Sequence, residues 1–438
     1  MTNRRSALFS CVSALALVLL NSTESRLYAQ GSDEYIVQFQ NGTTPAARRV
    51  AAANAGAAIR FVYTGVSAAA VRVANEQALV ALQRNPAVVS IVPNRPVFAY
   101  QHGDAVNGSP NKGGGGGQQG QVVPAGVVRV GVPTASSNGA GIGVAVLDTG
   151  IDLAHPDLAV AMSGFSAFGA SCQDGQGHGT HVAGTVAARD NSADVLGVAP
   201  AAQLYCVKVL DNSGSGSDAT IMAGLDWVLN NHNSVVPAIK VINMSLGRPG
   251  TVNDNTVMRD LISRLDSVGI SIVAAAGNDP LADVSEQIPA AYPEVIAVAS
   301  TTARTGSNQC RFLTNAIAAD TASYFTTDGL GVTVSAPGEE QEDVNRGCFI
   351  QSIGIVSTRL GGGTTRMSGT SMASPHVAGV TARYYQLNPA LTPSEVKFWI
   401  AQNASRLNVA PLDSPTSSYT FDGIKEGIAQ GPLTIIDP

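Results

Sequence analysis

Apolar runs of strand length, separated by helical stretches, constrain the fold of this 438-residue chain more than any other feature. The clearest runs cover residues 142–148, 204–211, 241–247, 270–278 and 295–300. They lack the alternation of polar and apolar residues that is typical of a strand with one solvent-exposed face. The sheet that they form must therefore be covered by other elements on both faces. Residues 121–405 therefore predict an α/β fold with a doubly wound, mostly parallel sheet.

A second, smaller α+β unit is indicated by residues 30–100. Its expected elements are strands at 34–39, 68–74 and 88–93 and helices at 46–58 and 76–86. Residues 101–120 contain five consecutive glycines, which are typical of a flexible linker between domains. Residues 406–438 predict a loop-like C-terminal tail.

The N-terminus has the pattern of an export signal. Arg4 and Arg5 precede an apolar run at 7–20, and small residues follow up to a plausible cleavage position at Ala29. The run is short for a bilayer span, although a membrane anchor is the alternative. Residues 1–29 therefore predict a secreted protein, in the periplasm or the medium, with no membrane contact after signal removal. A net charge of −6 argues against a nucleic-acid partner.

Cysteine usage agrees with an oxidising compartment. Of the five cysteines, Cys11 lies in the signal, which leaves Cys172, Cys206, Cys310 and Cys348. Four cysteines in an exported chain favour two disulfides, and three pairings are open.

Four polar residues follow strands or begin helices, where sites of parallel sheets collect. Asp148 and Asn278 end two apolar runs, whereas His178 and Ser371 lie at helix starts. A serine hydroxyl needs a base to become a nucleophile, and histidine suits that role near neutral pH. An aspartate can fix the tautomer of the histidine. Asn278 and the backbone N–H of Ser371 can stabilise an oxyanion.

Each of these residues also has a structural interpretation. Asp148 can be a turn residue, and Ser371 can be a helix N-cap. His178 and His181 are three residues apart and could share a metal, although no carboxylate or cysteine completes such a set. The common order and the flanking glycines favour the catalytic interpretation.

Five segments resemble the hallmark blocks of the subtilisin-like serine proteases, the subtilases. They are VAVLDTGIDLAHPDL, GHGTHVAGTVAA, INMSLG, AAAGN and GTSMASPHVAG, and the resemblance covers about 121–405. It implies an Asp148–His178–Ser371 triad with Asn278 in the oxyanion hole, in a serine endopeptidase that cleaves proteins and peptides. The alternatives are a catalytically silent subtilase fold that binds peptides, and an esterase, which the absence of a G-x-S-x-G elbow disfavours.

The resemblance also implies that substrate binds as an added β-strand between two strands of the enzyme. The residues implied on the two sides are Gly214, Ser215 and Gly216, and Ser245, Leu246 and Gly247. The sequence departs from the family where Arg248 replaces a usual second glycine. Gln287 also stands near the floor of the first specificity pocket, where small residues are common.

Structural calcium is the cofactor that the resemblance implies, with a hydrogen-bonded loop without metal as the alternative. Segment 188–200 is similar to the family's calcium loop. The implied ligands are Gln121, Asp157 and Asn191 through side chains, and Arg189, Ala193 and Val195 through backbone carbonyls.

Residues 30–100 resemble the family's inhibitory propeptide, which assists folding and leaves its C-terminus in the active site. The resemblance implies a monomeric zymogen that cleaves itself after Tyr100, with its own propeptide as an inhibitor. An independent domain that stays attached is the alternative. Relative to the family, segments around 302–320 and 339–352 are insertions that contain Cys310 and Cys348. This comparison predicts a Cys310–Cys348 bond and a Cys172–Cys206 bond.

Overall fold

The computed structural model describes residues 33–101, 120–132, 136–415 and 422–432. The predicted signal and most of the glycine-rich linker lie outside the described residues. The described chain forms two compact units. One contains residues 33–62 and 69–95, and the other contains 63–68 and the chain from Pro96 onward.

The first unit is a four-stranded sheet with two helices. Its elements are β1 (Glu34–Phe39), α1 (Pro45–Asn54), β2 (Ala57–Val62), β3 (Ala68–Val73), α2 (Glu76–Gln83) and β4 (Val88–Pro93), in the sheet order β2-β3-β1-β4. The prediction of a helix at 46–58 was wrong at its end. Gly56 adopts a φ of +75°, which stops the helix and lets the chain turn into β2.

The second unit contains all the remaining elements. Its strands are β5 (Pro96–Ala99), β6 (Gly143–Asp148), β7 (Phe165–Ser166), β8 (Gln203–Lys208), β9 (Ser215–Ser217), β10 (Ile239–Met244), β11 (Leu246–Pro249), β12 (Ser271–Ala275), β13 (Gln287–Ile288), β14 (Val295–Thr302), β15 (Val334–Glu339), β16 (Gln341–Val344), β17 (Ile350–Ile353), β18 (Ile355–Thr358) and β19 (Thr364–Met367). Its helices are α3 (Ala125–Arg129), α4 (His178–Ala187), α5 (Asp218–Asn231), α6 (Thr256–Ser267), α7 (Thr370–Leu387) and α8 (Pro393–Gln402).

A seven-stranded sheet forms the centre of the second unit. Its order is β15-β14-β12-β10-β6-β8-β7, and every pairing in it is parallel. Helices cover both faces. Val146 and Cys206 share a core with α4 and α7, whereas Leu147 and Val207 point the other way and approach Gly224 of α5. The predicted doubly wound α/β fold is therefore confirmed.

The winding of this sheet fixes where a site can form. From β6 the chain continues to β8 on one side, and later to β10 on the other. The crevice at such a switch point opens at the carboxyl ends of the strands. Asp148 is the last residue of β6 and therefore lies in that crevice.

One disulfide ties a loop to strand β8 of the central sheet, and the other joins two loops outside it. The structure pairs Cys172 with Cys206, with 6.0 Å between Cα atoms, and Cys310 with Cys348, with 4.8 Å. These are the two pairs that the sequence predicted. Cys348 lies in the turn of the β16–β17 hairpin, within the second insertion.

Residues 427–429 of the C-terminal tail lie beside β15. The N–H of Ser335 donates to the carbonyl of Gly427 at 3.1 Å, and the N–H of Ser405 donates to that of Ile428 at 2.8 Å. Among the described residues no helix has the length and apolar composition needed to cross a membrane.

Candidate active site

Asp148 and His178 form a buried pair. Nδ1 of His178 lies 2.8 Å from Oδ1 of Asp148, and both side chains are fully buried. The close approach of helix α4 to the end of β6 depends on Gly179, because a Cβ atom there would lie 2.0 Å from the carbonyl oxygen of Gly150. The arrangement fixes a proton on Nδ1 and leaves Nε2 as the acceptor, which is the tautomer that a general base requires.

Asp174 holds the start of helix α4, and the sequence analysis missed it. Its Oδ1 accepts hydrogen bonds from the backbone N–H groups of Gln176 and Gly177, and its Oδ2 from the backbone and hydroxyl of Thr180. A carboxylate at a helix N-terminus satisfies free N–H groups and matches the helix dipole. The available signal was an aspartate four residues before His178, in the same glycine-rich segment.

Ser371 is the second residue of helix α7. Gly369 is the N-cap, with a φ of +146°, so the interpretation of Ser371 as an N-cap was wrong. The hydroxyl of Ser371 donates to the carbonyl of Ser245 at 2.8 Å. In return the hydroxyl of Ser245 donates to the carbonyl of Ser371, also at 2.8 Å. That carbonyl has lost its helical partner because Pro375, four residues on, has no N–H.

No hydrogen bond joins Ser371 to His178 in this structure. Nε2 of His178 is buried and has no hydrogen-bond partner among the described residues. Both side chains are at the crevice, but the Ser371 hydroxyl is directed to Ser245 instead. A nucleophile and its base often make this bond only once substrate is correctly placed.

Asn278 presents its amide nitrogen to the crevice. Its Oδ1 accepts from the backbone N–H of Thr370 at 2.9 Å and from the Thr370 hydroxyl at 2.8 Å. Those two donors determine which end of the amide faces outward. Nδ2 donates to the carbonyl of Tyr100 at 2.8 Å. Thr370 is a second positioning residue that the sequence analysis missed, although it lies within the GTSMASPHVAG segment.

Strand β5 occupies the cleft between the two predicted substrate strands. It pairs antiparallel with β9, where Val97 faces Gly216 and Phe98 faces Ser215. It also pairs antiparallel with β11, where Ala99 faces Leu246.

The end of β5 reaches the predicted catalytic residues. The N–H of Ala99 donates to the carbonyl of Gly214 at 3.1 Å, and that of Tyr100 donates to Ser245 at 3.3 Å. A Cβ atom on Gly369 would lie 2.3 Å from the carbonyl oxygen of Tyr100. The structure thus brings together Asp148, His178, Ser371 and Asn278, the predicted strands Gly214–Gly216 and Ser245–Gly247, and a segment of the chain that ends at Tyr100.

His181 does not take part in this site. Its Nε2 lies 2.9 Å from the carbonyl oxygen of Ile355, and burial lowers its pKa to about 3. The suggestion that it shares a metal with His178 finds no support, because its Nε2 is directed to Ile355 and no metal-binding group of three His, Cys, Asp or Glu side chains occurs among the described residues. His376 is buried against Gly126, and burial lowers its pKa to about 4.

Comparison with known proteins places the chain among proteases. The model of the subtilase family, peptidase S8, matches residues 139–421. Subtilisin amylosacchariticus of Bacillus subtilis subsp. amylosacchariticus is 33% identical over 386 residues, which cover 85% of this chain and 86% of the relative. The chain belongs to the subtilase family. Subtilisin Savinase of Lederbergia lenta is 38% identical over 296 residues, covering 67% of this chain and 95% of the relative.

The present chain is therefore a subtilisin-like serine endopeptidase, which acts on protein substrates. Arg248, where the sequence departs from the family pattern, forms a buried ion pair. The guanidinium is buried and pairs with Asp218 through Nε at 2.8 Å and Nη2 at 2.7 Å. The pair ties β11 to the first residue of α5, so the cation has a partner of opposite charge.

The second departure, Gln287, lies at the Tyr100 side chain. The hydroxyl of Tyr100 donates to Oε1 of Gln287 at 2.7 Å. Gln287 is buried and lies in β13, which pairs with β11. Gln287, which departs from the small residues common at this position in the family, therefore contacts the side chain of Tyr100.

Five of the six predicted calcium ligands in this subtilase lie in direct contact. The side-chain amide of Gln121 contacts the carbonyl oxygens of Arg189 and Val195, the latter at 3.1 Å. Asp157 accepts from the Asn191 amide at 2.8 Å and from the backbone of Val195 at 3.2 Å.

Ala193 joins this set through its N–H, which donates to Oδ1 of Asn191 at 2.9 Å. A half-turn of the Gln121 amide would direct its oxygen to the same point as the two carbonyls. The donor set is then all oxygen with one carboxylate, which fits a hard cation such as Ca²⁺. No cluster of three or more His, Cys, Asp or Glu side chains suited to a metal occurs in the described ranges.

Proposed function

We propose that this subtilase is a secreted endopeptidase made as a zymogen, with Ser371 as nucleophile, His178 as general base and acid, and Asp148 as the residue that orients His178. The observation that carries the proposal is the Tyr100 carbonyl, which accepts a hydrogen bond from Asn278 while β5 is paired on both sides. This is the arrangement of a peptide bond about to be cleaved, or of a product that has not left. Residues 30–100 then act as the inhibitory propeptide.

In the proposed reaction the Ser371 hydroxyl turns from Ser245 toward His178 and attacks the carbonyl carbon of Tyr100. His178 Nε2 takes the hydroxyl proton, and Asp148 stabilises the resulting imidazolium. The oxyanion is held by Asn278 Nδ2 and by the backbone N–H of Ser371, aided by the start of α7.

Collapse of this intermediate breaks the Tyr100–Gln101 bond. His178 returns the proton to the nitrogen of Gln101, and Tyr100 remains esterified to Ser371. Water, deprotonated by His178, then hydrolyses the ester. The same steps apply to a protein substrate that replaces β5 between β9 and β11.

Calcium has a structural role in this proposal. Gln121, Asp157 and Asn191 would hold it by side-chain oxygens, and Arg189, Ala193 and Val195 by carbonyl oxygens. Bound Ca²⁺ supplies charge neutralisation for a carboxylate whose pKa burial raises to about 6. It takes no part in peptide hydrolysis, and the active protein is proposed to be a monomer.

The test is expression of the full chain with its signal, beside Ser371→Ala. We expect the native protein to appear outside the cell with an N-terminus at or beyond Gln101 and to hydrolyse casein. Ser371→Ala should keep the residues between the signal and Gln101, because no nucleophile is present. Intact mass and N-terminal sequencing of both forms measure the difference.

A serine-directed phosphonate separates this proposal from a silent peptide-binding fold. The native protein should be labelled on Ser371 and need no metal for the labelling. If both forms are processed alike, and neither cleaves protein nor takes the label, Ser371 is structural and the cleft only binds peptides.

A further inference from the structure

One wall of the pocket around the Tyr100 ring is formed by Gly247. A Cβ atom added to Gly247 would lie 2.6 Å from Cε2 and 2.6 Å from the hydroxyl oxygen of that ring. Any larger residue at 247 would therefore occupy the space of the ring. Glycine at this position makes one wall of the pocket from backbone alone.

The far end of the pocket is polar rather than apolar. Gln287 lies there with only 5% of its surface exposed, and its Oε1 accepts the Tyr100 hydroxyl at 2.7 Å. Its backbone is fixed by pairing with Pro249 of β11, and its carbonyl accepts from Ala291 at 2.7 Å. A buried amide oxygen that loses its donor is left unsatisfied, which is unfavourable.

The pocket end offers a hydrogen-bond acceptor without an unpaired charge. Arg248 is a cation close enough to act on the Tyr100 hydroxyl, and Asp218 accepts hydrogen bonds from Nε and Nη2 of its guanidinium. Burial raises the pKa of the Tyr100 hydroxyl, which therefore stays protonated and can donate. A side chain that fits must be flat and long and must end in a neutral hydrogen-bond donor. Tyrosine meets this description, whereas phenylalanine lacks the donor.

We propose that Gln287 is a specificity-determining residue that makes this protease prefer tyrosine to phenylalanine immediately before the cleaved bond. The inference rests on the proposed function, because it assumes that the Tyr100–Gln101 position is where substrates are cut. It adds a substrate class to that function: peptides with tyrosine in this position, including the chain's own segment at 96–100.

The experiment compares two chromogenic peptides that copy residues 96–100, Pro-Val-Phe-Ala-Tyr and Pro-Val-Phe-Ala-Phe, each as a p-nitroanilide. We expect the matured native enzyme to show a kcat/KM about 10-fold higher for the tyrosine peptide, since one neutral hydrogen bond is worth roughly this factor. Gln287→Met keeps the length of the side chain but removes the acceptor. It should bring the ratio to about 1, mainly by slowing the tyrosine peptide.

Gln402→Met is the matched control, because Gln402 ends α8 on an exposed surface. It should keep the native ratio. A second readout uses the full chain, where Tyr100→Phe should slow self-cleavage by a similar factor in the native background and leave the rate unchanged in Gln287→Met.

The possible failures are distinguishable. If the native enzyme cleaves both peptides at equal rates, or if Gln287→Met keeps the tyrosine preference, the assignment of Gln287 is wrong while the protease function stands. If neither peptide nor casein is cleaved by the native protein, the proposed function itself fails.

Discussion

At the scale of single residues, the candidate catalytic groups depend on neighbours that have no reactive role. Asn278 can present its nitrogen to an oxyanion only while its oxygen is held elsewhere. Thr370 holds it twice, by backbone and by hydroxyl. Removing the hydroxyl leaves the Asn278 side chain in place but weakens the orientation of its amide.

Thr370→Val should therefore lower kcat about 5- to 10-fold with little change in KM. The substitution removes one hydrogen bond to Oδ1 of Asn278, and the hydrogen bond from Asn278 Nδ2 to the oxyanion is stronger in the transition state than in the bound substrate. Thr370→Ser keeps the hydroxyl and should restore most of the rate. Steady-state kinetics on a casein-derived peptide measure both constants. A rise in KM at constant kcat, or failure of serine to restore the rate, would instead indicate damage to substrate binding. Asn278→Ala sets the lower limit, since loss of such a donor costs about 10²–10³ in kcat in a subtilisin.

The sequence predicted the identity of the candidate catalytic residues but not these orientations. Asp148, His178, Asn278 and Ser371 could be recognised because Asp148 ends a strand, Asn278 follows one closely, and His178 and Ser371 lie at helix starts. The contact of Gln287 with Tyr100 joins residues 187 positions apart and depends on how β13 is placed against β11. No local sequence pattern predicts a contact between residues so far apart in the chain.

At the scale of secondary structure, the buried parallel strands were the most predictable elements. Their continuous apolar runs come from burial on both faces, and this signal needs no partner information. Strand β2 was missed because an alanine-rich run continues past the helix end at Gly56. Strand β15 was not recognised because VSAPGE contains proline and glycine, and only its place beside β14 makes it a strand.

The loop at 188–200 carries a prediction of its own. Its oxygen ligands gather around a carboxylate with a raised pKa, so a bound cation should stabilise the folded state by mass action. In Ser371→Ala, which cannot digest itself, replacing excess Ca²⁺ with a chelator at pH 8 should lower the free energy of unfolding by about 3–4 kcal/mol if Ca²⁺ was present at 100–1,000 times its Kd. Thermal unfolding followed by circular dichroism measures the shift.

Two further variants test whether this loop is the site. Asp157→Asn removes the only carboxylate of the set and should abolish most of the calcium effect. Asp260→Asn, on the exposed side of α6, should keep it. If Ser371→Ala alone and both further variants respond equally to the chelator, calcium is not bound at this loop.

At the scale of the whole molecule, several carboxyl groups are buried in surroundings that favour their neutral form. Burial raises the pKa of Asp328 to about 7 and that of Glu426 to about 8, with nearby Asp422 adding to both shifts. Burial and mutual repulsion likewise raise the pKa of Glu339, beside Glu342. Glu426 belongs to the C-terminal tail and meets β15, where the hydroxyl of Ser335 donates to it at 3.2 Å, and Asp328 is close enough to raise the pKa of Glu426 further.

These groups fix the sign of the pH dependence of stability. A carboxyl whose pKa is higher in the folded state binds its proton more tightly there, so its stabilising contribution is complete below about pH 4 and is lost as pH rises through the folded pKa. In Ser371→Ala with chelator present, the free energy of unfolding should fall between pH 6 and 8 and level off above the folded pKa values, by up to about 1.4 kcal/mol per pH unit for each such proton. Glu426→Gln should flatten this fall across pH 6 to 8, because it removes the titrating group whose pKa burial and Asp328 raise to about 8. Glu286→Gln, at an exposed position, should leave the curve unchanged. Urea unfolding of Ser371→Ala, alone and with each added variant, measures the effect across pH 6 to 8. A stability that rises toward pH 8 would mean that Asp328 and Glu426 are ionised in the folded protein.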